Sequence, residues 1–255
     1  MSLSISTFYV IIILSISRCK DTHLFLNYEN NFIIFKKSCI FATFLDGNKM
    51  TYLQFREQWR KLGCFNIYQL RAWQNDFDRT NLSRWVKQGY LLKIRQDWYA
   101  FSDILSEPEA ARYIAYKIYQ PSYISLHAAL SIYGIIPEAV SRITSVTTSR
   151  TTAYSNALGE FCYQSIKPEM YFGYKQVPVA YGGFYQLALP EKAIIDLLYL
   201  YPEYNTEESL LDLRFDEWWM QNELDKERLL AFAAQCGKKS IQNRVELLLK
   251  TYCHD

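Results

Sequence analysis

Side chains that could bind phosphate groups and base edges are concentrated in residues 79–95, which read RTNLSRWVKQGYLLKIR. Leu82, Trp85 and Val86 recur at helical spacing, so the segment predicts a helix with one apolar face. Arginine can form two hydrogen bonds with guanine, asparagine can do so with adenine, and lysine or serine can bind phosphate. The polar residues lie on the opposite face or at the amino-terminal end of this helix. Five of them are predicted to contact DNA: Arg79, Asn81, Ser83, Arg84 and Lys87.

A predicted β-hairpin follows this helix after Gly89. Two short apolar stretches, Leu91–Ile94 and Trp98–Phe101, are joined by three residues, which is a common hairpin loop length. Lys93 and Arg95 lie on this hairpin, from which they could reach the flanking DNA backbone. Basic residues on a surface helix often do no more than interact with solvent, and that alternative stays open for each of these positions.

Two further helices are predicted upstream and would position the basic helix. The segment YLQFREQWRKLG ends at Gly63, and NIYQLRAW follows with Asn66 as its N-cap. Asp78 is expected to cap the third helix, which would run to about Gln88. Three short helices and a hairpin within about 50 residues are the outline of a winged helix-turn-helix. We therefore expect such a DNA-binding domain at residues 50–104.

Residues 105–255 predict a mixed α/β regulatory domain, so the whole chain is expected to be of the α+β class. SEPEAARYIAYKIY predicts a helix with Ser106 as its cap, and SYISLHAALSIYGI predicts another that ends at Gly134. Segments between residues 142 and 188, punctuated by glycine and proline, predict strands. LPEKAIIDLLYLYP predicts a helix with Pro190 in its first turn, and further helical segments follow to the carboxyl terminus.

Charge is unevenly distributed along the chain, although the net charge is only +2. Residues 50–103 contain nine Lys and Arg against five Asp and Glu, whereas residues 190–225 contain two against ten. In residues 202–225 the carboxylates alternate with leucine, phenylalanine and tryptophan, which favours helices that pack these apolar side chains on the core. The alternative is a docking face for a basic partner, with binding expected at Asp212, Asp216 and Glu217.

The sequence contains no recognisable catalytic, metal-binding or nucleotide-binding motif. Its six cysteines are far apart and form no C-x-x-C pair, as expected of a protein in the reducing cytoplasm. His127 lies in a mostly apolar helix pattern, where a structural role is favoured over catalysis. Glu191, Lys192 and Asp196 could suggest a nuclease, but a helix-capping glutamate with solvated neighbours explains them better. We therefore expect no enzymatic activity, no metal and no cofactor.

Residues 1–49 lack the regular patterning that begins at Met50. Their apolar stretch STFYVIIILSIS follows no Lys or Arg and precedes no small-residue cleavage site. It is also shorter than the roughly 18–20 apolar residues that span a bilayer. The sequence therefore predicts a mis-assigned N-terminal extension, with the working protein starting at Met50. A membrane anchor is the alternative for this segment.

Four blocks of the sequence together resemble AbiEi-type antitoxins, which are predicted transcriptional regulators of type IV toxin–antitoxin and abortive-infection systems. In chain order they are NLSRWVKQGYLLKIRQDWYAF, PSYISLHAALSIYGIIPE, ITSVTTSRT and GFYQLALPEKAIIDLLY, and the likeness spans residues 52–200. The resemblance implies a bacterial repressor whose winged helix binds double-stranded DNA at its own promoter. Its functional partner would be a nucleotidyltransferase-like toxin from the same operon, neutralised by the C-terminal region.

A different class of function remains open beside this one. A winged helix can serve as a protein dock, so the chain could be an interaction module that never contacts DNA. Such a module would neutralise a partner through its acidic C-terminal region. Salt-dependent binding to duplex DNA separates the two classes, because release of counterions from several phosphates gives a steep dependence on salt.

Overall fold

The computed structural model describes residues 50–138 and 140–253, and the prediction for residues 1–49 lies outside the described part. Within that part the protein combines α-helices with two β-sheets, which confirms the α+β class. No helix among the described residues is long and apolar enough to cross a membrane.

The first region of the described chain contains three α-helices and a three-stranded antiparallel sheet with the order β1-β3-β2. Its elements are α1 (Tyr52–Trp59), β1 (Cys64–Asn66), α2 (Ile67–Trp73), α3 (Thr80–Lys87), β2 (Leu91–Arg95) and β3 (Trp98–Phe101). The predicted helices and hairpin are present, but the hairpin loop has two residues, Gln96 and Asp97, instead of three, because Arg95 pairs with Trp98. A short 3-10 turn extends α1 over Arg60–Leu62. Strand β1 was not predicted, because its three residues precede α2 without any alternating pattern.

An aromatic cluster around Phe55 of α1 holds this region together. Phe55 is fully buried, and its ring centroid lies 4.7–6.0 Å from those of five other aromatic rings: Trp59, Phe65, Phe77, Trp85 and Phe101. Such ring pairs contribute about 0.5–1.5 kcal/mol each beyond the burial of apolar area. Because the five partners come from α1, β1, α3, β3 and the loop before α3, one side chain fixes the helices on the sheet.

The second region is built on a six-stranded mixed sheet with the order β6-β7-β5-β4-β9-β8. Its strands are β4 (Ser122–Ile124), β5 (Ile143–Thr147), β6 (Thr152–Asn156), β7 (Gly159–Ser165), β8 (Tyr174–Pro178) and β9 (Phe184–Ala188). Pairing is parallel for β4–β9 and β5–β7 and antiparallel for the other neighbours. Strand β4 therefore lies inside the sheet, between β5 and β9.

Two helices of the second region begin later in the chain than predicted. The helices of the region are α4 (Ala110–Ile118), α5 (Leu126–Ile132), α6 (Pro190–Leu200), α7 (Glu207–Leu211), α8 (Glu217–Asn222), α9 (Lys226–Gln235) and α10 (Lys239–Tyr252). Ser106 does not cap α4, since its hydroxyl donates to the carbonyl of Asp103 and the helix begins four residues later. The predicted helix over residues 122–135 is wrong for residues 122–124, which form β4.

Candidate functional site

Helix α3 is anchored by two buried side chains and leaves a basic face exposed. Leu82 and Trp85 are 1% and 2% exposed, and the Trp85 ring packs 4.7 Å from the ring of Phe55. The carboxylate of Asp78 accepts hydrogen bonds from the backbone and the hydroxyl of Thr80, but the N-cap of α3 is Arg79, one residue after the predicted cap. The residues left on the outer face include three of the predicted contacts: Ser83, Arg84 and Lys87.

Asn81 does not lie on that exposed face. Its side chain is buried, with 2% of the residue exposed, and its amide oxygen accepts a hydrogen bond from the guanidinium of Arg84. Position 81 lies four residues before Trp85, so it shares the inner face of the helix. The prediction that Asn81 presents its amide to DNA therefore disagrees with the structure, in which this amide orients Arg84 instead.

The hairpin residues divide into one exposed lysine and one arginine with internal partners. Lys93 is exposed on β2. Arg95 is only partly exposed, and it donates to the carbonyl of Ile118 at 3.2 Å. Its guanidinium carbon also lies 4.3 Å from the ring centroid of Tyr154. Arg95 therefore links the hairpin to α4 and β6, and the structure does not leave it free to contact DNA as predicted.

Ion pairs reduce the positive charge that this region presents to solvent. Arg56 and Arg60 both donate to Asp103 Oδ2 at 2.7 Å. Burial raises the pKa of Asp103, but hydrogen bonds from these two guanidinium groups outweigh that effect and hold it below its usual value. Arg79 makes a longer contact of 3.4 Å with Asp97, in the turn of the hairpin.

Two exposed basic residues of the same region were missed by the sequence analysis. Lys61, in the turn after α1, and Arg71, near the end of α2, are exposed and form no ion pair within the described part of the chain. Like Lys87, they are exposed and can meet an anion. Only the excess of basic over acidic residues in this region signalled them, since neither lies in the predicted contact helix.

The acidic residues of the second region have different local roles. Asp216 caps α8, because its Oδ1 accepts a hydrogen bond from the backbone of Trp219 at 2.7 Å. Asp212 and Glu217 are exposed and form no ion pair with a described residue. Among the apolar side chains of residues 211–218, Leu213 and Phe215 are buried, whereas Leu211 and Trp218 are 49% and 63% exposed. The segment thus packs on the core and also exposes apolar surface among carboxylates.

A polar cluster with no solvent exposure lies beneath α6. Lys192 and Asp196, both 0% exposed, form an ion pair one helical turn apart. The second carboxylate oxygen of Asp196 accepts hydrogen bonds from Tyr123 at 2.9 Å and Ser125 at 2.8 Å. Burial raises the pKa of Asp196, and the neighbouring Lys192 opposes that rise. The prediction that these residues are solvated is wrong, because α6 packs against α5, β9 and the C-terminal helices α9 and α10, which bury its residues 191–198.

Glu191 is also buried, at 2% exposure, and does not have the solvated neighbours that were predicted. Its carboxylate lies 3.4 Å from the backbone nitrogen of Asp225 and 3.4 Å from the guanidinium of Arg228. These contacts connect the first turn of α6 to the start of α9. No group of three or more potential metal ligands occurs among the described residues.

A cavity of about 640 Å³ opens beside α5, β5 and α7. We call it the His127 cavity, and its lining residues are His127, Ile136, Glu138, Val140, Ser141, Arg142, Thr144, Glu160, Tyr201, Tyr204, Asp212 and Leu213. Burial lowers the pKa of His127, with a smaller opposing effect from Glu138, so this imidazole is neutral at neutral pH. The residues come from five separate stretches of the chain, which is why no local sequence pattern indicated the cavity.

Comparison with known proteins does not assign the chain to a family. No protein-family model matches the sequence, and no curated protein matches it either.

Proposed function

We propose that the protein is a DNA-binding transcriptional repressor that contacts duplex DNA with α3. The observation that supports this most strongly is the row of Ser83, Arg84 and Lys87 on a helix whose opposite face is fixed by Leu82 and Trp85. An α-helix with its side chains is about 10–12 Å in diameter, and the major groove of B-DNA is about 12 Å wide. The arrangement favours insertion of this face into the groove, with the three-helix and hairpin region at residues 50–104 acting as a winged helix-turn-helix.

The contacts in this proposal fall into two classes. Arg84 and Ser83 are assigned to base edges or nearby phosphates, with Arg84 oriented by the buried amide of Asn81. Lys87 and Lys93 are assigned to phosphates, because lysine acts as a mobile point charge rather than a planar fork. Arg79 can join them if it releases its long contact with Asp97. Exposed ion pairs of this kind contribute little to stability, so replacing the contact with Asp97 by one with a phosphate costs little free energy.

The resemblance to AbiEi-type antitoxins adds the biological setting to the proposal. In that setting the protein is a cytoplasmic antitoxin of a bacterial operon, and residues 105–255 form the regulatory domain. The functional partner is a nucleotidyltransferase-like toxin, and the antitoxin needs no catalytic activity of its own. This part of the proposal depends on the four sequence blocks.

The test is binding of the full chain to a duplex covering its own upstream region, compared with a scrambled duplex at two salt concentrations. The double variant Arg84→Ala/Lys87→Ala removes two exposed charges from α3. The matched control is Lys239→Ala/Lys250→Ala, which removes two exposed charges from α10. We expect the α3 variant to bind more weakly and its log–log salt slope to fall by about 2, because each phosphate contact contributes about 1.

Binding without preference for the upstream duplex, or equal loss in the two variants, would reject the repressor. The protein-interaction module would then be the better account. The specific observation in its favour is the exposure of Trp218 and Leu211 within the acidic segment. Tryptophan is frequent at the centre of protein interfaces and is less frequent at exposed positions elsewhere.

A further inference from the structure

The His127 cavity combines aromatic walls with carboxylates at its opening. Three rings stand in sequence along one wall: the His127 and Tyr201 centroids are 6.1 Å apart, and those of Tyr201 and Tyr204 are 6.3 Å apart. The two ring pairs meet edge to face, with interplanar angles of 71° and 63°. Aromatic faces attract cations, and arginine more often than lysine occupies such positions.

The charges at the opening favour a cation as well. Glu138, Glu160 and Asp212 contribute three carboxylates, while Arg142 is the single Lys or Arg among the described lining residues. Because burial lowers the pKa of His127, the imidazole adds no positive charge at neutral pH.

Two of these carboxylates already have ion-pair partners, and the third has none among the described residues. Arg142 pairs with Glu160 and Arg214 pairs with Glu138, but all four side chains are about half exposed or more. Solvent-exposed ion pairs contribute little and exchange readily, so an incoming guanidinium can replace Arg142 or Arg214. Asp212 forms no ion pair with a described residue and is available without any exchange.

The floor of the cavity suits an aliphatic stem rather than another polar group. Thr144 lies there, but its hydroxyl donates to the carbonyl of Ser125 at 2.7 Å and accepts from the backbone of Ala128 at 3.1 Å. Ile136 and Leu213 complete the floor with apolar atoms. A long side chain with methylene groups and a charged end can therefore pack its stem on the floor and place its charge at the rings and carboxylates.

We infer that the His127 cavity binds an arginine-bearing basic segment of a partner protein. The volume of about 640 Å³ lies in the range of sites for whole ligands, which is more than one side chain fills. Asp212 belongs both to the cavity and to the acidic segment that continues through Glu217 and the exposed Trp218. A basic peptide that enters the cavity can thus extend along a surface of opposite, negative charge. The inference goes beyond the proposed DNA contacts and stands or falls separately from them.

The experiment uses the full chain and a labelled acetylated peptide in which two arginines are set among glycine and serine. A second peptide carries citrulline at both positions, which keeps the shape and hydrogen-bonding ability of the side chain but removes its charge. Fluorescence anisotropy at neutral pH measures both affinities. We expect the arginine peptide to bind about tenfold more tightly or better, as loss of a desolvated cation–π contact with its ion pair implies.

Variants of the protein locate the binding. Asp212→Asn and Tyr201→Leu should each weaken binding of the arginine peptide about fivefold or more, whereas Tyr201→Phe, which keeps the ring, should bind as the wild type. Glu246→Gln removes an exposed carboxylate from α10, outside the cavity, and should have no effect. Circular dichroism of each variant confirms that it is folded.

Equal binding of the arginine and citrulline peptides would overturn the inference, and so would unchanged binding in both Asp212→Asn and Tyr201→Leu. Competition by free arginine amide as strong, per arginine, as that by the peptide would also overturn it, because the site would then recognise a free cation. The Arg84→Ala/Lys87→Ala protein should bind the peptide normally. Normal peptide binding by this variant would show that the cavity and the DNA-binding face act separately, so either proposal can fail without the other.

Discussion

Lys192 and Asp196 are ionisable residues without solvent contact, and burial of such groups opposes folding unless they are paired. An isolated charge in such a place is very costly, and it is tolerated when an opposite charge and hydrogen bonds surround it. Here the lysine pairs with one carboxylate oxygen, and Tyr123 and Ser125 donate to the other. The Lys192 ammonium also lies 4.6 Å from the ring centroid of Phe172. The cluster joins α6 to β4 through specific bonds.

Removal of Lys192 alone should therefore be strongly destabilising. In Lys192→Met the carboxylate of Asp196 loses its counter-charge, and we expect the free energy of unfolding to fall by about 3–5 kcal/mol. Urea denaturation followed by circular dichroism measures this. Lys250→Met, at an exposed position on α10, is the control and should change stability by less than about 0.5 kcal/mol. The double variant Lys192→Met/Asp196→Asn removes both charges and keeps an acceptor for Tyr123 and Ser125, so it should recover part of the loss, and failure to recover would show that the charge is not the cause.

At the scale of single elements, the sequence predicted the parts with periodicity and local capping. Asn66 forms a capping box with Gln69 at the start of α2, and Pro190 lies in the first turn of α6, as expected. Strand β4 was missed for a physical reason: it is covered on both faces, so the polar Ser122 is as buried as Tyr123 and Ile124 and the strand has no exposed face. A short buried strand of this kind cannot be distinguished from the start of a buried helix by pattern.

The candidate sites could likewise be predicted only where a local sequence pattern defined a buried and an exposed face. Arg84 and Lys87 could be placed on an exposed face because Leu82 and Trp85 define the inner face of α3. The burial of Lys192 and Asp196 had no clear local signal, since Glu191, Lys192 and Asp196 lie on one side of α6, as solvated residues of an amphipathic helix would. The His127 cavity had no local signal, because it forms only when α5, β5 and the segment after α6 come together.

The turn before β8 provides a test of how tightly α6 is packed. Gly173 has a φ of +72°, and a Cβ there would lie 3.0 Å from Cγ of Lys192. Gly134, at the end of α5, has a similar φ of +70° but no atom within 4 Å of such a Cβ. Substitution by alanine should cost about 1–2 kcal/mol of backbone strain at either position.

Crowding against Lys192 should add to that cost at one position only. We expect Gly173→Ala to lower the free energy of unfolding by at least about 1 kcal/mol more than Gly134→Ala, since core overpacking typically costs 1–3 kcal/mol. Denaturant titration of the two variants side by side gives the difference. Equal losses would mean that the Lys192 side chain moves aside freely, and the cluster beneath α6 would then be less rigid than inferred.

At the scale of the molecule, the first region and the sheet region are joined by several specific contacts, and residues Tyr52–Asp255 constitute one compact unit. Tyr113 of α4 donates to the carbonyl of Leu62 at 2.8 Å, and Asn156 of β6 donates to that of Ile94 at 3.2 Å. The glycine at position 63 accommodates the ring of Tyr181 from the β8–β9 turn, where a Cβ would lie 2.7 Å from that ring. The chain does not divide into separate compact units near residue 104, so the domain boundary expected there stays a prediction. The contacts fix the first region, including the basic face of α3, on the sheet region.

Arg95 lies in this junction and allows the two roles of the hairpin to be separated. Its bond to Ile118 and its stacking on Tyr154 assign it to the junction, whereas the exposed Lys93 is assigned to DNA phosphate. Lys93→Ala should lower the log–log salt slope of DNA binding by about 1 and leave the unfolding free energy nearly unchanged. Arg95→Ala should leave the slope unchanged but lower the unfolding free energy by about 1–2 kcal/mol, because a cation–π contact and a charged hydrogen bond are lost. Fluorescence anisotropy on the upstream duplex and urea denaturation measure the two quantities on the same protein samples. A reduced slope with full stability in Arg95→Ala would show that this guanidinium leaves the junction to contact DNA, and that the hairpin moves relative to β6 when DNA binds.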